Sequence, residues 1–172
     1  MNNPKQHDPV RIKVAEFKVG RCIPNTAKGK AYALAFDMIN TALEKGCPLQ
    51  AITIEESILT DRLSSTLNAG NEDKKPCRTL NNALSKWRDQ FDKGESLFDE
   101  KMNALRPCLY AWWEERNALL HGIVKSPCGK GPTIPAEEFV ARAEKAAKEG
   151  LDLARKVLRW TQKQVRHVRK AK

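Results

Sequence analysis

Between Thr26 and Val168 the apolar residues recur every three or four positions, and glycines and prolines cut that pattern into separate runs. A period near 3.6 puts the apolar side chains of each run on one helical face, which has to be buried against a neighbour. The run "TAKGKAYALAFDMINTALEKG" starts near Asn25 or Thr26 and stops at Gly46, a residue suited to the left-handed turn that ends helices. Pro48 fits a first helical turn and opens "PLQAITIEESILTDRLSSTLNAG", which stops at Gly70 before the polar loop "NEDKKPC". These two helices are expected to pack as an antiparallel pair. A third, "TLNNALSKWRDQF", begins with Thr79 as its N-cap, and a fourth region starts near the capping-box pattern at Ser96 to Asp99. Pro107 is expected to interrupt that region, since proline removes a hydrogen bond and clashes with the preceding turn, so the helix carrying "WWEERNALLHG" is placed from Pro107 to Val124. After the loop "KSPCGKGPTI", Pro135 opens a long helix to about Val168, and only "RIKVAEFKV" hints at extended structure. The expected fold class is all-α, a four- to five-helix bundle: residues 1–25 form an N-terminal arm, 26–168 a single helical domain and 169–172 a basic tail.

Composition excludes several classes. A chain of 172 residues with 41% hydrophobic residues can bury one core and is unlike a disordered chain. No run approaches the roughly 20 apolar residues of a membrane span, and nothing at the start directs export. The five cysteines are odd in number, widely spaced and without a C-x-x-C pair, which reads as reduced thiols in a cytoplasm. Phosphate-binding, dinucleotide-binding and H-E-x-x-H zinc motifs are absent from the sequence, and "CGKGP" reads as a turn. A net charge of +10 points to a polyanionic partner. The excess gathers at the end, where eight lysines and arginines from Arg155 to Lys172 follow Asp152 with no further acid. A solvated helix face accounts for that run as readily as nucleic-acid contact does.

Two charges fall where apolar residues belong. On the helix assigned to Pro107–Val124, the residues Leu109, Trp113, Leu120, Ile123 and Val124 form one stripe, with Arg116 in its middle and Asn117 and His121 along its border. On the second helix Ile52, Leu59, Leu63 and Leu67 form a stripe that contains Glu56. An unpaired buried charge costs several kcal/mol, so the two anomalies most simply explain each other as a Glu56–Arg116 ion pair. Glu55 is the alternative acid, and the helical period favours Glu56. The four tryptophans lie at core-like spacing and are expected in the core rather than as base-stacking platforms.

Arg116, Asn117 and His121 in "RNALLH" resemble the arginine, polar residue, short spacer, histidine motif of HEPN-domain ribonucleases, the all-helical enzymes of toxin, phage-defence and CRISPR-associated systems. The resemblance covers roughly Thr26 to Val124. It implies a HEPN-like bundle and a metal-independent endoribonuclease acting as a toxin or defence effector, with Arg116, His121, Asn117 and Glu56 as site residues. It also implies a homodimer whose two motifs share one composite active site, with an antitoxin or defence-system protein as a possible partner. The chemistry is self-consistent, because RNA carries its own nucleophile, the 2′-hydroxyl. The protein need supply only a proton acceptor and donor, which histidine provides, and a cation for the charged phosphorane, which arginine provides. No metal or cofactor is required, and cleavage of this kind leaves a 2′,3′-cyclic phosphate and a 5′-hydroxyl. The basic last helix is expected to flank the cleft. His7 and His167 receive no role. A reading from another class is a non-catalytic helical module that binds RNA or protein, such as an antitoxin or regulator; it has no need of an inward arginine beside a histidine.

Overall fold

The computed structural model describes residues 26–68, 75–94, 98–122 and 134–170, with side chains described over 27–163 of those spans. They form α1 (Thr26–Glu44), α2 (Pro48–Leu67), α3 (Leu80–Asp92), α4 (Glu100–Gly122) and α5 (Ala136–Lys170), with no strand among the described residues. The chain is therefore all-α over these spans. The stretch 11–19, with its hint of extended structure, and the turn "CGKGP" lie outside the described residues. The last helix continues to Lys170, two residues past its expected end at Val168.

Four helices close a ring in which α2 packs on α3, α3 on α4, α4 on α5 and α5 on α2, the last being the most extensive contact; α1 lies outside it, against α2. Two pairs fix the antiparallel register of α4 and α5: Glu115 with Arg142, and Trp112 with the carbonyl of Ala146. Trp87 with Asn103 and Leu84 with Tyr110 do the same for α3 and α4. The helices α2 and α4 thus stand diagonally across the bundle and run parallel. At one end Phe98 sits between Trp87 and Trp160, with ring centroids 4.2 and 5.1 Å apart, in the tilted arrangement aromatic quadrupoles favour. Trp112 is also buried and Trp113 is half-buried, so the tryptophans belong mainly to the core, as expected.

Local signals account for most of the helix ends. Gly46 takes a φ of 67°, and the amides of Gly46 and Cys47 donate to the carbonyls of Leu43 and Ala42, the pair of bonds that closes a helix C-terminus and turns α1 into α2. Tyr32 of α1 then reaches Asp61 and Arg62 of α2, which makes the two helices antiparallel. Thr79 caps α3 by accepting from the Asn82 amide, 3.2 Å away.

The start of α4 differs from the expectation. Asp99 is the cap, accepting from the Met102 amide at 2.9 Å, and the helix runs unbroken through Pro107 to Gly122. Pro107 is exposed, so its ring stands on the solvent side of α4 rather than in the core. The buried stripe is Met102, Leu109, Trp112 and Leu119, with Trp113 and Leu120, expected within it, half-buried at its edge. Arg116 falls on this stripe too, one turn after Trp112.

Among the described glycines, Gly150 has the least room for a side chain. A Cβ there would run into the carboxylate of Glu55 on α2 and stand 2.7 Å from the Trp112 ring on α4, so the absence of a side chain lets three helices meet. Replacing Gly150 by alanine is expected to lower the melting temperature, because overpacking costs about 1–3 kcal/mol and outweighs the roughly 1 kcal/mol of better helix propensity. Gly29 on α1, where an added Cβ meets nothing within 4 Å, is the control. There alanine should raise the melting temperature or leave it unchanged.

Candidate active site

The diagonal arrangement of α2 and α4 brings Glu56 and Arg116 together across the bundle. An Arg116 Nη2–H donates to Glu56 Oε2, and Nη1–H donates to Asn117 Oδ1 at 2.7 Å. The side chains of Arg116 and Glu56 are 19% and 18% exposed, so the pair lies at the border of the core, within reach of solvent. Arg116 Nε is buried and has no hydrogen-bond partner among the described residues. The guanidinium is thus held by two groups and keeps donors uncommitted.

His121 stands apart from that set. It is exposed in the last turn of α4 and makes no hydrogen bond or ion pair with the described residues. Five positions separate it from Arg116, about 140° around the helix and about 7.5 Å along it, whereas Asn117 and His121 share a face. Of the four expected site residues, the structure joins Glu56, Arg116 and Asn117 and leaves His121 at the rim.

The acid at the centre of the buried stripe is Glu55, a correction to the expected helix phase. Helix α2 is covered by α1, α3 and α5, so its buried arc includes Ala51 and Ile58 as well as Ile52, Leu59 and Leu63. Glu55 is 0% exposed and neither carboxylate oxygen has a hydrogen-bond partner among the described residues, while Glu56 sits at the edge of the arc and takes the arginine. Burial pushes the Glu55 carboxyl up to about 9. The pairing inferred from the helical period is present, although the stripe on which it was placed is centred one residue earlier.

A polar groove of about 610 Å³ borders Glu56, walled by Ser57, Thr60, Ser65, Arg78 and Thr79. Asp61 also lines it and is neutralised by Lys28 at 3.0 Å and Arg62 at 2.9 Å. Burial opposes ionisation of Asp61, but hydrogen bonds from Tyr32 and Lys28 with the nearby Arg62 charge outweigh it and hold the carboxyl below its ordinary range. Burial, then the bond to Asp61, raises the Tyr32 phenol well above its own. The groove was not anticipated; its signal in the sequence is the row of hydroxyls at Ser57, Thr60, Ser64 and Ser65 on one side of α2.

The basic stretch of α5 does not flank this site within one protomer. In the antiparallel register, His121 is level with the first turn of α5, and the Ile134 side chain lies 3.3 Å from where a Gly122 Cβ would be. Phe98 packs on Trp160, so Arg155 to Lys163 lie level with the start of α4. At 1.5 Å per residue they are roughly 30–40 Å from His121.

Two outcomes follow from the paired glutamates. The folded Glu55 carboxyl keeps its proton up to about pH 9 while the unfolded one loses it near 4.5, so this contribution to stability is fully present below pH 4.5 and declines as pH rises towards 9. Glu55→Gln should therefore match the native chain near pH 4.5 and become progressively more stable above it, by up to about 1 kcal/mol per pH unit, in denaturant titrations from pH 4 to 9. Parallel pH curves for the two proteins would refute the assignment. Glu56→Ala leaves Arg116 without its acid and should cost on the order of 2 kcal/mol, between the values for surface and fully buried pairs. Thermal melts will measure it, and Glu56→Gln should recover part of the loss.

No protein-family model, no curated protein and no solved structure matches the chain. The chemistry of the site is therefore read from its own residues.

Proposed function

We propose that the protein is a metal-independent endoribonuclease of the HEPN type, acting as a toxin or a defence effector. The observation that carries the reading is the placement of Arg116: a guanidinium held by Glu56 and Asn117 at the edge of the core, with an exposed imidazole at the end of the same helix. A structural arginine is used up by its partners, whereas Nη1 and Nη2 of this one each keep an N–H beyond the bonds to Asn117 and Glu56, on a side chain that is partly exposed and can take a phosphate oxygen. The net charge of +10 agrees with a polyanionic substrate.

In this reading the 2′-hydroxyl loses its proton to an imidazole and its oxygen bonds to the adjacent phosphorus. The bond from phosphorus to the 5′ oxygen breaks, and that oxygen leaves protonated. The products are a 2′,3′-cyclic phosphate and a 5′-hydroxyl. Arg116 stabilises the doubly charged phosphorane, which is larger in charge than the ground-state diester and so gains more from the cation. One His121 per chain cannot both accept the first proton and donate the second in a single concerted step. A two-fold homodimer with α4 of each protomer on a shared cleft supplies the second imidazole. The groove beside Glu56 offers hydroxyls and Arg78 to a flanking nucleotide.

The test is cleavage of mixed cellular RNA in chelator, with end-group analysis of the products. Arg116→Ala and His121→Ala should each lower the rate at least 100-fold while leaving the helical spectrum intact. Mixing the two variants should recover part of the activity in heterodimers. Native rates from folded His121→Ala protein would refute the reading.

A further inference from the structure

Past Asp152, the solvent face of α5 carries Arg155, Arg159 and Lys163, four residues apart and all exposed. They form one straight row along the helix. Lys156 on the same turn is paired with Asp152 at 2.6 Å, but the three residues of the row have no ion pair or hydrogen bond with any described residue. Like charges at this spacing repel, so the row weakens the helix that carries it unless a counter-charge lies along it. The opposite edge of α5 is packed by Ala154, Val157, Leu158 and Thr161 into the core, which keeps the row straight and facing outwards. The groups that fit are a series of anions at regular intervals: a sugar–phosphate backbone.

We propose that Arg155, Arg159 and Lys163 form a docking surface for the backbone of an RNA whose scissile phosphate lies at the other end of the bundle. This rests on the ribonuclease reading of Arg116 and His121 and adds a length requirement to it. The register of α4 and α5 sets the row roughly 30–40 Å from His121, so an RNA touching both has to span about ten stacked nucleotides at about 3.4 Å each. The substrate class is then an RNA with a stacked or helical body beside the cleavage point, and a short stacked oligonucleotide reaches only one of the two surfaces. Two modest contacts joined by one strand bind more tightly than either alone, because the second engagement is intramolecular.

The probe is a fluorescent, fully 2′-O-methylated RNA of mixed sequence, 6 or 24 nucleotides long, which cannot be cleaved because its 2′-oxygens are blocked. The native chain should bind the 24-mer at least tenfold more tightly than the 6-mer. The triple variant Arg155→Gln, Arg159→Gln, Lys163→Gln should cut that preference to less than threefold and lower the salt dependence of 24-mer binding by about two to three counterions. Its melting temperature should be equal or higher, since it removes repulsion, which separates lost binding from lost folding. An unchanged length preference in the triple variant, or polyglutamate of matched charge competing more strongly than RNA, would overturn the proposal. Because the probe reads binding alone, loss of the ribonuclease reading through His121→Ala would leave this result standing, and the reverse holds too.

Discussion

The meeting of α2, α4 and α5 at Gly150 governs how the interior is filled. With no side chain at that position, Glu55 and the Trp112 ring both fit against the α5 backbone, and the indole N–H finds the Ala146 carbonyl at 2.8 Å. Two helices that face each other diagonally are thereby drawn to a separation that long side chains can bridge. The Glu56–Arg116 pair lies one residue on from Glu55 along α2 and one turn on from Trp112 along α4, so its geometry is inherited from this contact. Adjacent glutamates on one helix end in opposite states: the first buried without a hydrogen-bond partner among the described residues, the second holding a guanidinium.

Glu56 gives Arg116 its orientation and at the same time competes for it. In the ribonuclease reading, an incoming phosphate shares the guanidinium with the glutamate rather than displacing it, since Nη1 and Nη2 each keep a second N–H. A cation already aimed and already desolvated on one side needs little reorganisation when charge develops on the phosphorane. His121, level with the first turn of α5, is exposed at the end of α4.

Helix number, most helix ends and the Glu56–Arg116 pair were legible in the sequence because local rules decide them. The Gly46 turn, the Thr79 cap and the inward arginine each carry a signal within a few residues. The continuation of α4 through Pro107 was not legible, since whether a proline breaks a helix depends on which side of it faces water, and that is settled by packing. The same dependence hid Glu55: a helix covered on three sides buries a wider arc than the apolar stripe marks, and a glutamate opposite a glycine 95 positions later leaves no local trace. Apolar periodicity also says nothing of register, so the distance between the basic end of α5 and His121 emerged only once α4 and α5 were seen to run antiparallel.

Glu55 also couples assembly of the bundle to solvent protons. The hairpin of α1 and α2 closes through a three-residue turn and can form early from contacts near in sequence. Gly150 must close a loop of about a hundred residues before it meets Glu55, so the docking of α5 is the non-local step. Until then Glu55 lies on an uncovered face of the hairpin and carries its charge at neutral pH. Docking therefore draws one proton from the buffer at neutral pH, and the step that completes the core becomes less favourable as the solution becomes alkaline.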